Sequence, residues 1–199
     1  LSDSITADWC ARALVSDGSE FDVLLKGVVV GNVKWDHSGD HNLCNGISAI
    51  AAARHVGVTP EIAAEALCQF EGVKRRMELL GKPRGIAVYD DFAHHPTAIA
   101  TTLQGVRNKV GQGRLLAVLE PRSNTMRMGV HEAALPVSLA IADQVYLYEP
   151  ANANWSLDAL TRSLSPKARL SHDIEALVGL LVEQATKGDN IVIMSNGAF

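Results

Sequence analysis

Between Gly85 and Val106 the hydrophobic pattern changes its period. Gly85-Ile86-Ala87-Val88 is a continuous apolar run that reads as a buried strand, and Ala98 to Val106 has helical spacing. Tyr89-Asp90-Asp91-Phe92-Ala93-His94-His95-Pro96-Thr97 joins the two. Pro96 suits the first turn of that helix, where a missing N–H breaks no hydrogen bond. The alternation then repeats, with strands near 85–90, 114–119, 144–149, 167–171 and 190–194 and helices near 96–109, 128–142, 156–164 and 173–187. This pattern predicts an α/β fold with a doubly wound, mainly parallel sheet. Pro136 falls inside the second helix pattern and predicts a kink or a break there.

In open α/β sheets ligands bind beyond the carboxyl ends of the strands. The loop after Val88 therefore brings two carboxylates, Asp90 and Asp91, and two imidazoles, His94 and His95, to a candidate site. An aspartate in such a loop is often only a cap or turn former. Titratable groups this dense, held before a proline, favour function. A second polar loop, Glu120-Pro121-Arg122-Ser123-Asn124-Thr125-Met126-Arg127-Met128-Gly129, follows the apolar strand Leu115 to Leu119. In a parallel sheet it emerges on the same edge, so the two loops are expected to meet and form a pocket.

The first 40 residues have β character. Phe21 to Lys26 and Val28 to Val30 read as short strands, with Gly27 and Gly31 as punctuation and Asp17-Gly18-Ser19 as a turn. They are too few for a domain and suggest the edge of something larger. Gly39-Asp40-His41-Asn42-Leu43-Cys44-Asn45 opens a helix with Leu43, Ile47, Ile50 and Ala51 on one face, ending near His55 to Gly57. Read locally, Asn42 is a candidate cap. Thr59 and Pro60 start the next helix as cap and first residue, with Ile62, Ala63, Ala66, Leu67 and Phe70 at helical spacing and Gly72 as its end. Phe70 to Glu78 reads as an exposed connector, with Arg75-Arg76 as a solvated pair, and divides the chain into 1–71 and 72–199.

A net charge of −4 gives no nucleic-acid footprint and no basic membrane patch. No apolar run approaches the roughly 20 residues of a spanning helix, so a cytoplasmic protein is expected. The odd cysteine set, Cys10, Cys44 and Cys68, lacks metal-ligand spacing and reads as reduced thiols. Gly111-Gln112-Gly113 has Leu116 where a dinucleotide fingerprint needs its third glycine. The only Gly-Lys pair, Gly81-Lys82, precedes Pro83, so a phosphate-binding Gly-Lys-Ser/Thr loop is absent. Leu1 is not a methionine and the sequence stops in a strand and the start of a loop, so a fragment of a longer chain is expected.

Several of these segments carry a resemblance. Asp90-Asp91-Phe92-Ala93-His94-His95-Pro96-Thr97 resembles the start of the C-terminal domain of the Mur ligases, ATP-dependent amide-bond-forming enzymes of peptidoglycan metabolism. Its His-His-Pro form is similar to the branch acting on UDP-N-acetylmuramate. Gly39 to Ile50 resembles the His-Asn-x-x-Asn segment that closes the family's central ATPase domain, and Gly72 to Glu78 is similar to its Arg-Arg-x-Glu pattern. Glu120 to Met126 and Met194 to Phe199 look like the member that attaches a tripeptide in recycling, whereas the alanine-adding member usually shows a Pro-His-Arg-type sequence in the first of these loops.

The resemblance implies a Rossmann-like C-terminal domain at 72–199, preceded at 1–71 by the end of the ATP-binding domain. It implies that ATP activates UDP-N-acetylmuramate as an acyl phosphate, which the amine of L-Ala-γ-D-Glu-meso-diaminopimelate attacks. Asn42 and Asn45 are then adenine contacts with His41 packed nearby, and Arg76 reaches the γ-phosphate. Asp91 matches the family's aspartate near the nucleotide and helps lock the closed state. His94 or His95 orients or deprotonates the incoming amine, and Arg122, Ser123, Asn124 and Thr125 bind the carboxylate-rich tripeptide. Mg2+ is implied too, with its ligands upstream of Leu1, so this stretch alone is expected to be inactive. Two alternatives stay open: the alanine-adding ligase of the same branch, and a non-catalytic α/β binding module. The oligomeric state is not readable.

Overall fold

The computed structural model describes residues 7–121, 133–150 and 156–197. They form two compact units, divided after Gly72.

In the first unit β1 (Trp9–Ala13), β2 (Glu20–Leu25) and β3 (Val28–Lys34) form an antiparallel sheet in that order. Phe21 and Val23 turn inward from β2 and meet Val33, Trp35, Leu43, Ile50, Ala63 and Ala64 in one core. The alternation along β2 leaves Asp22 outside, where it pairs with Arg12 of β1 at 2.6 Å. Strand β1 was not anticipated; its small, mixed residues carry too weak an alternation to stand out. Gly31 does not end a strand as expected. It lies inside β3, next to a bulge at which Val23 faces Gly31 while Leu24 faces Val29.

Two helices follow, α1 (Asp40–His55) and α2 (Pro60–Cys68). Thr59 caps α2 as expected, accepting from the Ile62 N–H at 3.5 Å, with Pro60 at the first helical position. The helix stops at Cys68 rather than at Gly72, and Ile62 and Phe70 are exposed. It buries Ala63 and Ala64 instead, because small residues let it lie directly on β3. A Cβ at Gly31 would stand 2.9 Å from the Ala64 Cβ. Gly31→Ala is therefore expected to lose about 1–3 kcal/mol through overpacking, measured as a lower urea midpoint. An unchanged midpoint would show that α2 can slide.

The second unit contains β4 (Glu78–Gly81), a 3-10 turn (Pro83–Gly85), β5 (Ala87–Asp91), α3 (Pro96–Val110), β6 (Leu115–Glu120) and α4 (Ala134–Leu139). It continues with β7 (Gln144–Tyr148), α5 (Asp158–Ser163), β8 (Ala168–Ser171), α6 (Ile174–Gln184) and β9 (Asn190–Ser195). The sheet order is β4-β5-β9-β6-β7-β8. All pairings are parallel except that of β4 with β5. Ile99, Leu103 and Val106 of α3, Leu135 and Leu139 of α4 and Leu160 of α5 pack with one face of the sheet. Leu177 of α6 packs on the other with Ile86, Leu116, Val118, Tyr146 and Ile191. This is the doubly wound, mainly parallel sheet that the alternation predicts.

Strand β4 corrects one expectation: Glu78, read as the last residue of a connector, opens an antiparallel edge strand. Its exposed Leu79 and Leu80 gave no alternation to read. Pro136 sits in the first turn of α4, which begins at Ala134, so no kink falls inside the described helix. Residues 128–132 of the expected helix lie outside the described residues. Among the described residues no helix is long and apolar enough to cross a membrane.

Candidate functional site

The carboxyl ends of β5, β9 and β6 lie side by side, with Asp91 opposite Met194 and Glu120 opposite Ser195. The strands that feed the two loops, β5 and β6, thus end on the same edge, as expected, while residues 122–129 of the second loop lie outside the described residues. The two strands are not neighbours. Strand β9 stands between them and is followed there by Asn196 and Gly197. Hydrophobic alternation cannot reveal this, because it does not encode the lateral order of strands.

Asp91 anchors the edge. It is 4% exposed, and both carboxylate oxygens are engaged within the protein. One accepts from the Ala93 N–H at 2.8 Å and the Thr102 hydroxyl at 3.3 Å, the other from the Met77 N–H at 2.9 Å. Burial pushes its pKa above the usual carboxylate range, against the pull of those hydrogen bonds and of the Arg76 charge. Asp91 therefore ties the loop, α3 and the turn at residues 75–77 to the end of β5.

That turn is unusual in its backbone. Arg75 has φ 59° and Met77 φ 51°, a region that non-glycine residues seldom enter. The surroundings over-determine it. The Arg75 N–H donates to the Glu78 carboxylate at 2.8 Å, and the Arg75 carbonyl accepts from the Phe92 N–H at 2.8 Å. The Arg76 N–H donates to the Val73 carbonyl at 3.0 Å, and the Met77 N–H to Asp91.

Both arginines lie over the Phe92 ring, the Arg75 guanidinium carbon at 5.3 Å from its centre, but they differ in hydrogen bonding and exposure. Arg75 is not the solvated residue that the sequence suggested. Its Nε donates to Asp90 at 3.1 Å, Nη1 to the Gly197 carbonyl at 3.0 Å and Nη2 to the Ser195 carbonyl at 2.7 Å. Arg76 is exposed, with its guanidinium carbon 5.7 Å from the centre of the Phe92 ring. Among the described residues Arg76 makes no ion pair. Sequence reasoning missed Arg75 and Glu78, although the Arg-x-x-Glu spacing within 75–78 was a usable signal.

The histidines also separate. His94 is half-buried, and its Nδ1 lies 2.9 Å from the Phe92 carbonyl. A carbonyl only accepts, so Nδ1 carries the proton and the lone pair of the neutral ring is on Nε2. His95 is the exposed N-cap of α3, its Nδ1 accepting from the Thr97 N–H at 3.3 Å. The neutral His95 ring therefore carries its proton on Nε2.

On the far side of β9, the Ser195 hydroxyl donates to the buried Glu120 at 2.5 Å and accepts from the Gly197 N–H at 2.9 Å. The Asn196 side-chain oxygen is buried and has no hydrogen-bond partner among the described residues. The sequence brought Glu120 and Ser195 forward only as members of the segments Glu120–Met126 and Met194–Phe199 and assigned neither a role, since an isolated serine after an apolar strand carries no pattern. Arg122, Ser123, Asn124 and Thr125 lie outside the described residues.

His41, Asn42 and Asn45 belong to the first unit, in the opening turns of α1. The cap is Gly39, at φ 94°, and not Asn42. Asn42 uses its amide nitrogen on the Ser38 carbonyl at 2.9 Å. Asn45 is exposed and lies one turn on, on the same face as Asn42. Among the described residues no group of three or more histidine, cysteine or acidic side chains is arranged to hold a metal ion.

Comparison with known proteins adds the family. Residues 75–197 match the family described as Mur ligase, glutamate ligase domain. The chain is 50% identical over 192 residues to the UDP-N-acetylmuramate–L-alanyl-γ-D-glutamyl-meso-2,6-diaminoheptandioate ligase of Escherichia coli K12, covering 96% of this chain and 42% of that protein. It is 45% identical over 193 residues to the Haemophilus influenzae protein of the same name, covering 96% of this chain and 43% of that protein. A crystal structure of a murein peptide ligase from Psychrobacter arcticus superposes with a TM-score of 0.66 at 41% identity, over 98% of this chain and 42% of that one. The chain thus spans about two fifths of the length of these curated relatives. Since the family match extends over more than half of the sequence, this chain belongs to the Mur ligases and carries their glutamate ligase domain at residues 75–197.

Proposed function

We propose that the intact protein carrying this chain is an ATP-dependent ligase that joins L-Ala-γ-D-Glu-meso-diaminopimelate to UDP-N-acetylmuramate through an acyl phosphate, in the cytoplasm. The observation that carries the ligase reading is the pinned turn that presents Arg76 at the carboxyl edge of the sheet. The tripeptide is supported by 50% identity to the E. coli enzyme of that name. On this reading 1–71 closes the ATP-binding domain and 72–199 is the C-terminal domain.

ATP, when bound, supplies the phosphoryl group that makes the lactyl carboxylate electrophilic. The residues present fit it. Adenine offers a donor and an acceptor on one edge, and Asn42 and Asn45 offer amides to match. Asn42 has its amide nitrogen committed to Ser38 and keeps its oxygen for the purine amino group. His41 packs beside them. Arg76 neutralises the transferring phosphoryl group, and a planar guanidinium suits that geometry. Mg2+ would be held by residues upstream of Leu1. Asp91 acts by holding Met77, and with it the Arg76 turn, in register with β5. Arg122, Ser123, Asn124 and Thr125, which follow β6 in sequence, are assigned to the carboxylates of the peptide.

His94 is the better candidate to take a proton from the incoming amine, since its lone pair is on Nε2 while His95 uses Nδ1 to cap α3. His94→Asn is expected to lower kcat by roughly two orders of magnitude or more. His95→Asn should stay near wild type, because asparagine also caps helices. Steady-state kinetics on both variants checks this, and the reverse pattern would exchange the two roles.

The test of the function is phosphate release by the intact protein with ATP and UDP-N-acetylmuramate, offering either L-alanine or the tripeptide. Preference for the tripeptide is expected. Preference for alanine would overturn the substrate assignment, and release with neither amine would favour a binding module.

A further inference from the structure

We infer that Arg75 is a positioning residue for phosphoryl transfer: it fixes where Arg76 stands by tying the Arg76 turn to the carbonyls that end β9. The inference rests on the proposed role of Arg76. Its starting point is the contrast between two adjacent arginines with the same intrinsic chemistry.

The Arg75 guanidinium enters between two strands. It meets Asp90 near the end of β5, Ser195 at the end of β9 and Gly197 just beyond. Those oxygens lie in different directions, and only a planar fork with separate N–H donors satisfies them together. A lysine ammonium in the same space would keep the charge and lose the span. A fourth support, the Glu78 carboxylate on the Arg75 N–H, holds the same residue from the backbone side.

Two consequences meet at Arg76. The backbone on each side of it is held left-handed, at Arg75 and at Met77, so its Cα has little freedom to move. And Asp90 balances the Arg75 charge inside the protein, while that of Arg76 meets no ion-pair partner among the described residues. The pair thus divides its labour. One cation is used to build the turn, and the other is presented to an anion.

The test is a double-mutant cycle in the intact ligase, with Arg75→Lys, Arg76→Ala and the double variant, reading kcat, KM for ATP and Tm. Arg75→Lys is expected to lower kcat about tenfold or more, since small misplacement of a charge-stabilising group is costly. In the Arg76→Ala background the same change should have almost no further effect on kcat, because there is no longer a guanidinium to position. Equal losses in both backgrounds, or an Arg75→Lys enzyme with unchanged kcat, would overturn the inference and leave Arg75 as scaffold only. An Arg76→Ala enzyme with unchanged kcat would sink the underlying role of Arg76 and this inference with it. Glu78→Ala run through the same cycle gives the same reading from the backbone side, and decides the matter if Arg75→Lys does not fold.

Discussion

On the proposed role of Arg76, Arg76→Ala in the intact protein is expected to lower kcat by about two to three orders of magnitude, the usual loss when one donor to a developing charge is removed. Its stability should change by no more than about 0.5 kcal/mol, because the side chain is exposed and breaks no ion pair among the described residues. This separation is what makes the variant informative. A residue that acts only through the fold would move Tm and kcat together. If the guanidinium meets the phosphoryl group mainly in the transition state, KM for ATP stays within a few-fold of wild type while kcat falls. Arg76→Lys should recover part of the loss, since it restores charge without the planar fork. Steady-state kinetics with the tripeptide as acceptor checks all three statements. An unchanged kcat would remove Arg76 from the phosphoryl site.

Asp91→Ala is expected to have the largest effect on stability, about 3–5 kcal/mol. Removing the carboxylate leaves the Met77 and Ala93 N–H groups and the Thr102 hydroxyl without their acceptor in a buried site. Each such loss is worth roughly 1–3 kcal/mol, partly offset by no longer burying a charge. Urea denaturation of the chain measures it, and a loss below about 1 kcal/mol would mean that water replaces the carboxylate. Asp91→Asn gives the pH dependence. Burial raises the folded pKa above the unfolded value near 3.8, so the folded state binds the proton more tightly. Relative to the asparagine variant, the wild type should then be most stable below pH 3.8, lose stability as pH climbs through the raised folded value, and level off above it.

The α/β character of residues 85–195 was legible because burial on both faces gives strands such as Leu115 to Leu119 continuous apolar runs. The helices between them keep a period near 3.6. Caps at Thr59 and the proline at 96 were legible for the same local reason. What the residues could not disclose is lateral. Nothing in Asn190 to Ser195 says that this strand inserts between β5 and β6, and the contacts of Arg75 with Ser195 and Gly197 depend on that insertion. The motifs brought Arg76, Asp91 and the histidines forward as a group. Only geometry separates an exposed cation from a buried carboxylate, or a ring that caps from a ring that can accept a proton.

The insertion of β9 also bears on how this sheet is made. Among the described strands of the sheet, the one translated last, β9, is an interior one. Until it arrives, β5 with its β4 partner and the β6-β7-β8 group each present a bare row of backbone donors and acceptors to whatever is nearby. A chain emerging from the ribosome must hold these two halves apart, unjoined and prone to pair wrongly, until β9 bridges them. Sheet completion, and with it the turn that carries Arg76, becomes a late and non-local event in folding.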